Sequence, residues 1–295
     1  MTAPRQILPG ASYLVTRRCT QRQFLLRPSA RVNELFLFVL AVAAQRHGIL
    51  VHAFCVLSNH YHLVVTDPDA RLPRFQQYLD ALVARAMNAS LGRSEHFWGS
   101  NTYSAVRLET PADIVEEAAY TLANPVAAGL VRTGGLWPGL RSDPRRIGAE
   151  PLVVSRPEHF FARDGALPPN ATLQLTAPPG FASDHEFIEQ VTRAVDRHER
   201  DARERIGPHF LGVARVLAQS PTARPTSREP RGGLNPRVAA KDTRTRIEAL
   251  ARLKQFLKDY RDAWEAWRQR KPGVLFPAGT YLLRVVHAVP CHGFG

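Results

Sequence analysis

Ile49-Leu50-Val51-His52-Ala53-Phe54-Cys55-Val56-Leu57-Ser58-Asn59-His60-Tyr61-His62-Leu63-Val64-Val65-Thr66 consists of two apolar, β-rich runs separated by a short polar turn. Ile49 to Val56 and His60 to Thr66 each read as a strand, and Leu57-Ser58-Asn59 joins them as a hairpin. The flanking segments follow from it. Upstream, Ser12 to Arg18 alternates and is rich in β formers, so a first strand is expected there. Between that strand and the hairpin, Ser29 can cap a helix from Ala30 to Arg46. Its apolar face holds Val32, Leu35, Phe36, Val39, Leu40 and Ala43, and His47-Gly48 ends it. Downstream, a second helix is expected from Leu72 to Ser90, then an aromatic turn at Phe97-Trp98-Gly99-Ser100 and a strand from Tyr103 to Leu108. A third helix starts at Thr110-Pro111, with proline at the first helical position, and is expected to stop at Asn124-Pro125.

The order β-α-β-β-α-β-α predicts an α+β fold, a small and mostly antiparallel sheet covered by helices on one face. That unit is expected to occupy residues 1–150. Residues 151–295 read as a basic, mainly helical C-terminal extension. Within it, 151–183 is spiced with Pro and Gly and gives no assignment. Asp184 to Ile206 is a charged amphipathic helix, and 219–238 reads as a flexible linker rich in Pro, Arg, Ser and Thr. Thr243 to Arg270 is another helix, carrying Tyr260, Trp264 and Trp267, and the tail from Val274 to Val289 is expected to add a strand. The two tryptophans could stack bases, although that spacing on an amphipathic helix more often marks core.

Charge narrows the partner. Lys and Arg number 39 against 26 Asp and Glu, for a net charge of +13. Residues 1–150 hold 16 Arg, no Lys and 11 acidic residues, so basicity is spread through both halves. Such a balance favours a polyanion, because neutralised phosphates release counterions whatever their sequence. A membrane partner is not expected. The longest apolar run, Leu35 to Ala44, is about half the length that spans a bilayer, and no secretory signal layout opens the chain. Cys19, Cys55 and Cys291 lack the spacing of a disulfide framework or zinc ribbon. A cytoplasmic enzyme is the expectation.

Chemistry concentrates in two places. On a strand, His60 and His62 project to one face about 7 Å apart, so both can reach one cation, while Tyr61 points into the core. Two neutral imidazoles with open positions suit a divalent ion that must also hold a phosphate oxygen. Two histidines beside a turn are also a common surface feature. The second place is Tyr120 and Asn124, which share a helical face at i and i+4. A phenol can attack phosphorus and an amide oxygen can complete a ligand set. A tyrosine near a helix end also packs its ring, and an asparagine before proline also stops a helix.

The run Ala53 to Val65, the Phe97-Trp98-Gly99 turn and the segment Tyr120-Thr121-Leu122-Ala123-Asn124-Pro125-Val126-Ala127-Ala128-Gly129-Leu130-Val131 resemble the REP-associated tyrosine transposases. These belong with the single-strand transposases of the HUH superfamily. The likeness spans roughly residues 5–140, with the three blocks in the family's order. It implies a small α+β HUH nuclease-like domain that cleaves and transfers single-stranded or hairpin DNA through a 5′-phosphotyrosine. It implies Tyr120 as nucleophile, His60 and His62 as metal ligands, Asn124 as the helix-borne third ligand, and Mg²⁺ or Mn²⁺ as cofactor. Ser58 stands where relatives often have proline, and the extension has no counterpart in compact members. Arg17, Arg18 and Arg22, at the end of the first strand, are the expected DNA-binding residues, with guanidinium forks that suit phosphates. His52 and His96 read as packing or surface residues. A homodimer stays open. Two other functions remain: a metal-dependent phosphodiesterase, which needs a third His or carboxylate near the pair, and a DNA-binding regulator with a vestigial site.

Overall fold

The computed structural model describes residues 4–100, 103–162, 164–226 and 236–293. Strands β1 (Ala11–Arg18), β2 (Leu50–Leu57), β3 (His60–Asp67), β4 (Ser104–Leu108) and β7 (Val238–Ala239) form a sheet in the order β2-β3-β1-β4-β7. The pairings are antiparallel except β4 with β7, which is parallel. The expected hairpin is β2–β3, with Leu57 opposite His60. Helices α1 (Ala30–His47) and α2 (Leu72–Ser90) fall within a residue of their expected bounds. Ser29 caps α1 by accepting from the Val32 N–H, and Gly48, at φ 67°, closes it in the left-handed conformation that favours glycine.

Strand parity shows how the layers are arranged. Tyr61 lies edge-on to Phe36 of α1 at 5.0 Å and donates a hydrogen bond to Asp80 of α2, so these helices cover its face of the sheet. His62, one residue on, meets helix α3 (Pro111–Ala127) on the opposite face. The sheet is therefore covered on both faces rather than one. The reason is visible in β2 and β3, where almost every residue is buried, as both-sided burial requires. Helix α4 (Asp184–Ile206) lies on α3, and its Phe187, Val191 and Ala194 join the main core.

Two expectations fail on local detail, and one unassigned stretch proves to be structured. Helix α3 runs through Asn124-Pro125 to Ala127. A proline in the last turn forfeits one backbone bond, and the Ala128 N–H to Asn124 carbonyl bond (2.9 Å) and the Leu130 N–H to Pro125 carbonyl bond (3.0 Å) close the end. The unassigned 151–183 stretch holds a hairpin of β5 (Leu152–Ser155) and β6 (Asn170–Leu173) that packs on α1. The tail from Val274 to Val289 adds no strand. Pro277 and Gly279 break it, and it forms a short helix, α7 (Leu282–His287), after a bridge segment at Phe276.

The rest of the extension comprises α5 (Val213–Leu217) and α6 (Thr243–Arg268). Of the expected linker, 227–235 lies outside the described residues; 219–226 runs against the body and Val238 enters the sheet. Among the described residues no helix is long and apolar enough to cross a membrane.

Candidate active site

One strand and one helix bring four of the expected residues together. His60 and His62 alternate onto one face of β3, with ring centroids 4.9 Å apart. Helix α3 crosses that face, and its Tyr120 ring lies 5.3 Å from the His62 ring, nearly perpendicular to it. Asn124, one turn on, places its amide nitrogen 3.4 Å from His62 Nε2. Oxygen and nitrogen of an amide are interchangeable by a half-turn, so the same position can present Oδ1. Tyr120 is 39% exposed, so the residue is partly open to solvent.

Each imidazole is oriented by a neighbour that the sequence does not single out. Thr16 of β1 stands opposite His62, and its hydroxyl lies 2.7 Å from Nδ1. Asn59 Oδ1 lies 2.6 Å from His60 Nδ1, so that nitrogen donates. With Nδ1 engaged on both rings, Nε2 is the nitrogen each would offer a ligand, and at His62 the Asn124 amide stands beside it. Burial pushes His60 down to about 3, with repulsion from Arg18 and Arg22 adding to it. Burial also holds His62 well below its ordinary value, helped by His60 and Arg18. Both rings are neutral at physiological pH and are competent donors.

The three arginines part company. Arg18 is cross-strand from His60 on the site's face, and Arg22 follows in the adjacent loop. Arg17 is cross-strand from Tyr61 on the opposite face, with Nε 3.4 Å from the Asp80 carboxylate. Around Tyr120, burial raises the phenol above its ordinary value; the Asn124 amide lowers it, Glu117 raises it and Arg18 lowers it. The phenol is therefore protonated at neutral pH.

His52 is buried between Thr176 O (2.7 Å) and Thr66 Oγ1 (2.8 Å), a packing role. Among the described residues no third His, Cys, Asp or Glu joins the histidine pair, so the remaining protein donor on offer is the Asn124 amide. Two imidazoles and one amide oxygen fit a divalent cation with positions left open. Thr16 and Asn59 escaped the sequence reading because their roles depend on strand register and turn geometry, which no local pattern encodes.

No family model matches the chain, and no curated protein does. Among solved structures it is similar to a REP-associated tyrosine transposase bound to a REP hairpin, at 16% identity and TM-score 0.42, over 62% of this chain and 99% of that one. It is also similar to a protein of Deinococcus radiodurans R1 that carries a provisional transposase designation, at 19% identity and TM-score 0.28, over 36% of this chain and 85% of that one. Likenesses this distant carry no argument about chemistry.

Proposed function

We propose that the chain cleaves single-stranded DNA, including strands that carry hairpins, and rejoins it through a phosphotyrosine on Tyr120. One observation carries the reading: a partly exposed tyrosine, two neutral imidazoles and an amide converge on one face, with Tyr120 5.3 Å from His62 and Asn124 3.4 Å from it. His60, His62 and Asn124 would hold Mg²⁺ or Mn²⁺, which when bound polarises the scissile phosphate and offsets charge on the leaving 3′ oxygen. Tyr120 attacks phosphorus in line and releases a 3′ hydroxyl, and the phosphodiester kept on the phenol allows another strand's 3′ hydroxyl to reverse the step. Arg18, beside both His60 and Tyr120, holds the phosphate near the phenol and eases loss of its proton.

The same arginines weigh on the choice of ion. Positive charge from Arg18 and Arg22 at His60 disfavours a bare dication and favours one that arrives with a phosphate. Mn²⁺ should therefore bind more tightly when a single-stranded oligonucleotide is present, and calorimetric titration with and without DNA checks this. A phosphodiesterase acting through water would need a third His or carboxylate at the pair, and the described residues supply none.

The test is covalent capture. With Mn²⁺ and a 3′-labelled strand carrying a hairpin, denatured protein should retain label. Tyr120→Phe should abolish the adduct and slow cleavage by at least about 10³-fold, and EDTA or His60→Ala should do likewise. Label that survives in Tyr120→Phe would remove the nucleophile assignment. Cleavage that persists in EDTA would remove the metal.

A further inference from the structure

Far along the sequence, the chain returns to the mouth of the site. Residues 217–223 lie across the loop that follows β1 and across the β2–β3 turn. Arg27 Nη1 donates to the carbonyls of Leu217 and Gln219, both at 3.1 Å. Gln23 Nε2 donates to Thr222 O at 3.3 Å, and the Phe24 N–H to Ala223 O at 2.9 Å. Ser58 Oγ donates to Gln219 Oε1 at 3.3 Å, a contact that ties this strap to the turn preceding His60. The loop is itself bound to that turn, since Asn59 Nδ2 donates to Arg22 O at 3.2 Å. Strap, loop and turn thus form one continuous wall on the His60 side of the site.

Its charge is one-sided. Residues 1–33 and 207–226 contain no Asp or Glu, whereas they contribute Arg18, Arg22, Arg27, Arg215 and Arg224. The strap meets the loop through backbone carbonyls and the turn through the Gln219 side chain, and neither set of contacts engages Arg215 or Arg224. Arg215 flanks the buried Val216 and Arg224 follows Ala223. Both are exposed and form no ion pair among the described residues. A wall without acidic residues, on which Arg215 and Arg224 carry exposed guanidiniums, suits a strand of phosphates beside two neutral histidines.

We propose that this wall borders the path of the single strand entering the site, and that Arg215 and Arg224 bind its backbone phosphates. The proposal rests on the single-strand reading above and gives part of the C-terminal extension a direct role in substrate binding. Each arginine contributes one phosphate contact, so each sets part of the salt dependence of binding but none of the chemistry.

The experiment uses the full chain carrying Tyr120→Phe, so that binding is read without cleavage. Affinity for a hairpin oligonucleotide with a single-stranded flank is measured as salt is varied. Arg215→Ala and Arg224→Ala should each weaken binding several-fold and reduce the slope of log Kd against log salt by about 0.7, additively in the double variant. Arg224→Lys should keep the slope, and Arg261→Ala on α6 should leave it unchanged. An unaltered slope in the double variant overturns the proposal, as does an equal effect from Arg261→Ala or equal losses on fully duplex DNA. Thermal melts of each variant separate unfolding from lost binding. The adduct assay with the unsubstituted protein distinguishes the two readings: adduct formation with no change of slope removes only the wall, and a changed slope without adduct removes only the tyrosine chemistry.

Discussion

Tyr61 sits between the two histidines in sequence and on the other side of the sheet in space. Its hydroxyl donates to Asp80 Oδ1 at 2.6 Å and accepts from Gln76, while Asp80 also pairs with Arg17. Burial pushes the Asp80 carboxyl up to about 6, with the bonds from Tyr61 and Gln76 and the charge of Arg17 opposing it. Tyr61→Phe leaves that carboxylate short of a donor, and should cost about 1–3 kcal/mol by denaturant unfolding. A second, half-buried acid gives a pH signature. Burial lifts Glu117 from its ordinary 4.5 to about 7, with Glu116 and Asp113 adding to the lift and Lys241 opposing it. The folded state therefore keeps a proton that the unfolded chain loses, and the cost of ionising Glu117 grows from pH 4.5 and is complete above about pH 7. Glu117→Gln should leave Tm unchanged below pH 4.5 and raise it by a few degrees above pH 7, as melts across that range would show. At this scale the sequence was readable where chemistry follows a short period. His60 and His62 on a strand, and Tyr120 and Asn124 on a helix, share faces by spacing alone. Thr16, which orients His62, was not readable, because only the β1–β3 register puts it there.

Among the elements, α3 matters most because it carries half of the site. Its start is a reciprocal cap: Asp113 N–H donates to Thr110 Oγ1 at 3.2 Å and Asp113 Oδ2 accepts from the Thr110 N–H at 3.0 Å. The other Asp113 oxygen accepts from the Lys241 N–H at 2.8 Å, which moors the chain just after β7. Thr110→Ala should cost about 1 kcal/mol. Asp113→Ala should cost about 1–2 kcal/mol more, since it also orphans Lys241 N–H, and urea titration of the pair would show the difference. Glu116 adds a clasp on the outer side, meeting Arg197 at 2.8 Å, His198 at 2.7 Å and Lys241 at 2.7 Å. Boundaries of α1 and α2 were legible because caps and apolar stripes are local. The end of α3 lies beyond Asn124-Pro125 because a proline in a last turn removes only one bond, and tertiary packing of Leu122 and Val126 outweighs it.

For the molecule as a whole, the nearly unbroken apolar runs of β2 and β3 carried more information than the element order did. They require cover on both faces, and α3 with α4 behind it supplies the second layer. The β5–β6 hairpin was illegible because strands of four residues among Pro and Gly leave no periodic signal. Phe187 is fully buried in the main core although it belongs to the extension. Phe187→Ala should cost about 3–5 kcal/mol and lower the melting temperature of the entire fold in one transition, as circular dichroism would report.

Both margins of the sheet are completed by chain that is made late. The outer side of β2 is occupied by backbone bonds from Leu140, Ser142 and Thr176, and the outer side of β4 by Val238 and Ala239. On a ribosome, β4 ends at Leu108 and waits for partners near Val238, some 130 residues on, which is on the order of ten seconds of synthesis. During that interval a half-built sheet displays a bare strand to its surroundings. The nascent chain should therefore be a client for chaperones, and slowing translation upstream of Val238 should increase its aggregation even though the finished protein has little free edge left to pair.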